Sequence, residues 1–198
     1  MTREEKREHK ATRAAAEVMR QHENNMEADS LAHGAAWAYL EQIDNTKKSR
    51  HALAAANIRK ELKRAFPGVR FSVRAKSFSG GTSVDIGWGD GPTGAQVKPI
   101  ISKYEEGNFN GMEDIYDYDR DNMWVGIFGG AKYVMTQRGQ TIDGVRSAWV
   151  EMGGDSADVK IATYHDGSEY WDRQNSPNGD AIGAAWADKD FTAGHASQ

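Results

Sequence analysis

Cysteine is absent from the 198 residues. That excludes disulfides, cysteine-ligated zinc, iron–sulfur clusters and a thiol nucleophile, and it fits a reducing compartment. Long apolar runs are missing as well. None approaches the roughly 18 residues a membrane helix needs, and the first 25 residues are charged, without the apolar stretch of a signal peptide. The chain therefore reads as cytoplasmic, with no membrane partner. There is no phosphate-binding P-loop and no serine nucleophile elbow. No two of the six histidines share metal-ligand spacing on one element. Catalytic residues, a metal site and a cofactor are accordingly not expected.

What is present is a polar but foldable chain. Hydrophobic residues make up 38% and charged residues 27%, and the six Trp, seven Tyr and six Phe argue against disorder. Net charge is −4, which globally makes no case for nucleic acid. The charge is segregated, however. Between Asn57 and Lys76 lie seven Lys/Arg and one Glu; between Tyr104 and Asp121 lie seven Asp/Glu and one Arg.

Residues 1–45 read as a helical segment. Over 3–24, Glu, Lys, Arg and Ala favour helix, but Val18 and Met19 are the only large apolar residues. Such a helix projects unless a partner or a second copy covers it, so a homo-oligomer is one expectation. A second helix is expected over 29–43 and a third over 46–66, ended by Pro67-Gly68. Alternation then predicts strands at 69–76 and 83–88 joined by a hairpin loop, and Thr93 caps a further helix. Strands are expected at 114–118, 123–128, 132–137, 148–152 and 159–164. Residues 172–198, rich in Asn, Gly, Asp, Ala and Ser, read as a loosely ordered tail apart from a turn of helix around Ala184 to Ala187. The fold class is α+β: a small, mostly antiparallel sheet with packed helices over 46–171. Ile58, Leu62, Phe66, Phe71, Val73, Val84, Ile86 and Trp88 should share one core.

Several local strings in the centre are distinctive. Asn57-Ile58-Arg59-Lys60-Glu61-Leu62, Phe66-Pro67-Gly68-Val69, Phe71-Ser72-Val73, Ser77-Phe78-Ser79-Gly80-Gly81 and Val84-Asp85-Ile86 resemble the large polyvalent protein associated domain family, type 29. Asp90-Gly91-Pro92-Thr93 and Phe109 to Asp114 look like its continuation. The resemblance implies a phage or conjugative-element setting inside a bacterial host cell. There, long chains carrying such domains enter with the element's DNA and help it survive host defences. It implies no catalytic residues.

Two surfaces stand out beside that setting. The acidic stretch Glu113, Asp114, Asp117 and Asp119 is interleaved with Tyr116 and Tyr118, a pattern suited to a protein interface, where aromatics anchor and charge steers. The expected partner is a host defence protein or a protein–nucleic-acid complex, blocked in the manner of an anti-CRISPR or anti-restriction inhibitor. The alternative is direct nucleic-acid binding through Lys60, Lys63, Arg64, Arg70, Arg74 and Lys76. Three further patterns are weaker. Gly89 to Gly94 fits G-x-G-x-x-G but follows a hairpin strand, where a dinucleotide site needs a parallel unit. Asp117 to Asn122 lacks the Gly and Glu of a calcium loop. His165, Asp166 and Glu169 lie beside Gly167 in a turn.

Overall fold

The computed structural model describes residues 3–119 and 121–192. Helix α1 runs from Arg3 to His33 and is followed by a 3-10 turn, Ala35–Trp37. The two N-terminal helices expected from the sequence are thus one helix and a turn. Nothing between residues 24 and 29 is a strong breaker, so the first helix continues. The chain beyond Gly34 leaves it to bring Trp37, Tyr39 and Leu40 to the core.

Helix α2, Arg50–Ala65, buries Leu53, Ala54, Ala55, Ile58 and Leu62 along one face. Strands β1, Ser72–Phe78, and β2, Gly81–Gly89, form an antiparallel hairpin. Helix α3, Gly94–Ile101, starts with a capping box in which Thr93 and Gln96 satisfy each other's backbone. A second hairpin follows, β3 at Gly107–Asn110 and β4 at Ile115–Tyr118. Strand β5, Tyr133–Gly139, returns to pair with β2 in the parallel sense, so the main sheet has the order β1-β2-β5. The α+β class holds, with three antiparallel pairings and one parallel.

All eight expected core residues gather in one cluster. Ile58, Leu62, Val73, Val84, Ile86 and Trp88 are buried, and Phe66 and Phe71 pack partly buried against them. Tyr104, Trp124 and Phe128 close the same core.

Three expectations are corrected. Residues 123–128 are helix α4, Met123–Phe128, capped by Asn122, not a strand. The run Met-Trp-Val-Gly-Ile-Phe fits either period, and burial of Trp124, Val125 and Phe128 on one helical face decides it. Residues 148–152 fall mostly in helix α5, Ile142–Glu151, capped by Thr141. Within the expected loose tail, residues 179–188 form helix α6, Gly179–Asp188. Its Ile182, Ala185 and Trp186 are spaced for one helical face and pack with Val145, Ala148 and Val159 into a second core. Residues 193–198 of that stretch lie outside the described residues. Between α5 and α6 stands a short hairpin, β6 at Ile161–Thr163 and β7 at Glu169–Trp171.

Candidate interaction surfaces

The β3–β4 hairpin carries the acidic candidates. Glu113 and Asp114 occupy its turn, with Asp114 in the left-handed region at φ 52°. Its apolar residues are turned to solvent: Phe109 is 55% exposed, Met112 97%, Ile115 54% and Tyr118 56%. Single exposed apolar residues are ordinary, but this twelve-residue hairpin exposes four: Phe109 and Tyr118 share the face of Tyr116, Ile115 lies on the opposite face, and Met112 sits at the tip. Asp117 and Asp119 are also exposed. Gly107 lets the two strands approach closely, since a Cβ there would lie 2.0 Å from the Asp117 carbonyl oxygen.

Tyr116 differs from its neighbours. It is half-buried and donates its hydroxyl to the Lys132 carbonyl at 2.5 Å. Burial, followed by the nearby charges of Glu105 and Glu106, holds its phenol well above the ordinary range. It therefore anchors the hairpin to the sheet and presents little surface of its own. Its ring stands 4.8 Å from Tyr118 and 5.6 Å from Tyr133, and Tyr133 stacks on Phe78 at 6.2 Å. The four rings make a continuous row from β4 to β1. Lys132 places its ammonium 5.0 Å from the Tyr116 ring and 5.4 Å from that of Tyr133.

The basic candidates are divided by the topology. Val73 and Ala75 face α2, so Arg74 and Lys76 project from the opposite sheet face, where both are exposed. Lys76 pairs with Asp85 at 2.5 Å. Lys60 and Arg64 lie on α2 around Tyr39: Lys60 bonds the Tyr39 carbonyl and Glu41, and Arg64 lies 4.8 Å from the Tyr39 ring centre. Lys63 is exposed in the last turn of α2, and Arg70 precedes β1 beside Gly89 and Asp143. The six residues do not form one patch. Two grooves run beside Arg74 and Lys76. One, about 580 Å³, crosses the open sheet face over Ser72, Asp85, Met135 and Gln137. The other, about 590 Å³, follows the β1 edge past Lys48 and Arg59.

The glycine-rich loop has the parallel context that the sequence did not suggest. It joins β2 to α3, and β2 pairs in parallel with β5. A cavity of about 460 Å³ opens at the carboxyl ends of these strands. Yet the chain supplies its own anion there. The Asp90 carboxylate accepts from the Thr141 backbone N–H at 3.1 Å and the Thr141 hydroxyl at 2.5 Å, at the start of α5. Trp186 donates to it as well, at 2.8 Å. Arg138 then donates to the carbonyls of Asp90, Gly91 and Ala187, tying the second core to the sheet. This clamp reads as architecture, not as a phosphate site.

His165 is exposed in the loop between β6 and β7, and Asp166 is engaged by the Ser168 N–H and hydroxyl, which hold its carboxyl below the usual range. Among the described residues no group of three or more His, Asp or Glu side chains is placed to hold a metal ion. No described helix is long and apolar enough to cross a membrane.

A family model spans residues 49–141, from the residue that caps α2 to the residue that caps α5. The model is that of large polyvalent protein associated domain 29, and the match covers a little under half of the chain. No curated protein and no solved structure matches the chain. The match supports an association with phages and mobile elements, and domain 29 is not itself a known catalytic family. Both surfaces described above lie within it. The domain is buttressed from outside its own limits. Leu40 packs into its core, Glu41 exchanges hydrogen bonds with buried Asn57, and Trp37 stands edge-on to Trp124 at 4.8 Å. Sequence reasoning missed Phe78, Lys132 and Tyr133 as surface partners of Tyr116. They lie far apart in the chain, and only the return of β5 to β2 brings them together.

Proposed function

We propose that this chain is a non-enzymatic binding protein of a phage or plasmid that captures and blocks a host defence component in the bacterial cytoplasm. The observation that carries this reading is the β3–β4 hairpin, which holds Phe109, Met112, Ile115 and Tyr118 in solvent beside Glu113, Asp114, Asp117 and Asp119. Exposed apolar and aromatic anchors rimmed by charge are how protein interfaces gain both affinity and orientation. Domain 29 supplies the setting.

The test is protection of an invading element in a host with intact defences. Met112→Ala/Ile115→Ala/Tyr118→Ala leaves the Tyr116 anchor in place, so it keeps the fold. It is expected to lose protection, together with any copurifying host protein that survives nuclease treatment. Undiminished protection by the folded variant would remove the hairpin from the function.

A nucleic-acid-binding accessory role is the second reading. It is favoured by one observation: Arg74 and Lys76 are exposed on the sheet face opposite α2, over an open groove.

A further inference from the structure

We propose that the open face of the β1-β2-β5 sheet is a binding platform for single-stranded nucleic acid, with phosphates on Arg74 and Lys76 and bases on the exposed rings of Phe78 and Tyr118. The proposal rests on the second reading above and is independent of capture by the hairpin tip.

The face is defined by strand alternation. Val73, Ala75, Val84 and Ile86 point towards α2 and the core. Their neighbours Ser72, Arg74, Lys76 and Phe78 on β1, Asp85 and Gly87 on β2, and Tyr133, Met135 and Gln137 on β5 point the other way. Register places Lys76 beside Ser83 and Ser83 beside Tyr133, so cations, small residues and rings follow one another across the sheet. Small residues on the central strand leave the groove of about 580 Å³ between the two edge strands.

Two features select the ligand. The first is the ring row. Phe78 is 50% exposed at one end and Tyr118 56% at the other, with Tyr133 and Tyr116 between them. Tyr133 and Tyr116 are half-buried and support the two exposed ends; the open faces of Phe78 and Tyr118 accept any base, whereas in a duplex the base faces are already stacked on each other. The second is charge. Arg74 makes no ion pair among the described residues, Lys132 lies along the rings, and Lys48 and Arg59 extend the cations round the β1 edge. Asp85 is engaged by Lys76 through one carboxylate oxygen and Glu41 by Lys48 and Lys60, whereas Glu105 and Glu106 lie near Tyr116 and exposed Asp117 and Asp119 flank Tyr118, so the positive end of the surface is the one at Arg74. A positive strip flanked by exposed rings is complementary to a flexible polyanion with unpaired bases.

The test is fluorescence anisotropy of labelled oligo(dT), and of a duplex of matching length, titrated with the full chain at several salt concentrations. The single strand is expected to bind more tightly than the duplex. Phe78→Ala is expected to weaken binding about tenfold, the loss of one stacked base. Arg74→Ala/Lys76→Ala is expected to reduce the salt slope by about 1.4, at ~0.7 for each single-strand phosphate contact. Arg74→Ala alone, with an expected reduction of about 0.7, serves if freeing Asp85 disturbs the fold. Met112→Ala, on the hairpin tip, is expected to bind as the parent does. Absence of binding to either probe at low salt overturns the second reading itself. Binding that ignores Phe78→Ala and Arg74→Ala overturns this face as the site, and equal affinity for the duplex overturns the single-strand assignment.

Discussion

The indole N–H of Trp186 donates to the carboxylate of Asp90 at 2.8 Å, across 96 residues of chain. Asp90 lies in the turn after β2 at φ 45°, a left-handed conformation uncommon for a residue with a side chain. The strain is offset because the same carboxylate also caps the start of α5. Trp186→Phe keeps the packing and removes the donor, so it is expected to cost about 1.5 kcal/mol in urea denaturation. Arg138→Met deprives several carbonyls of their donor and is expected to cost about 3 kcal/mol. Hydrogen exchange locates the effect: amides of α6 should lose protection while those of α2 keep theirs.

Lys103 offers a second test. Its ammonium bonds buried Glu61 at 2.6 Å and sits 3.9 Å from the Trp124 ring centre and 4.5 Å from that of Trp37. Tyr104 also donates to Glu61, at 2.8 Å. Lys103→Met leaves that carboxylate without its counter-ion and is expected to cost about 3–5 kcal/mol. Adding Glu61→Gln, which still accepts from Tyr104, is expected to restore most of the loss. Thermal melts of the two variants check the order.

Glu105 yields a pH dependence. Burial pushes its carboxyl up, against smaller opposing effects of the Val134 backbone and Lys98. A folded-state pKa above the unfolded value means the neutral form suits the fold. The stabilisation is then complete below the unfolded value of about 4.3 and is lost as pH rises through the folded one. Glu105→Gln keeps the hydrogen-bonding shape without the charge. It is expected to melt higher than the parent at pH 7 and equally at pH 4.

Helix α1 spans 31 residues, about 46 Å at 1.5 Å per residue. Its inner contacts come from the C-terminal end, where Leu31 packs on the core, while Val18 and Met19 stay 68% and 61% exposed. A helix without tertiary contacts opens readily. Trypsin is therefore expected to cut after Lys10, Arg13 and Arg20 well before Arg59 or Lys60, as read by mass spectrometry at monomeric dilution. Equal rates would mean that α1 is covered, most simply by a second copy.

The elements legible in the sequence were those whose apolar period had length. Helix α2 and the β1–β2 hairpin each repeat their pattern over several residues, and their shared core follows from that. Short apolar runs were ambiguous: Met123–Phe128 suits a strand or a helix until its neighbours are known. Of helix α6 only a turn at Ala184 to Ala187 was legible, because Ile182, Ala185 and Trp186 are diluted by Gly, Ala and Asp. Of the acidic hairpin only the strand at 114–118 was legible; its partner β3, in a Gly- and Asn-rich stretch, and the inward role of Tyr116 were not. The basic run looked like one patch because sequence order ignores which sheet face a residue takes. Sheet pairing sent Arg74 and Lys76 away from Lys60 and Arg64, and towards rings contributed by distant strands.

The double pairing of β2 also sets an order of assembly. Its partners on β1 lie one short turn away, as in Val84 with Ala75, whereas Val84 meets Val134 only after a long excursion. Loop-closure entropy makes the near pairing the faster one. On a growing chain, α2, β1 and β2 can consolidate while the far edge of β2 still presents bare amides and carbonyls. Until β5 emerges, that edge of β2 is open to pairing with another strand, and the hairpin is at its most prone to association.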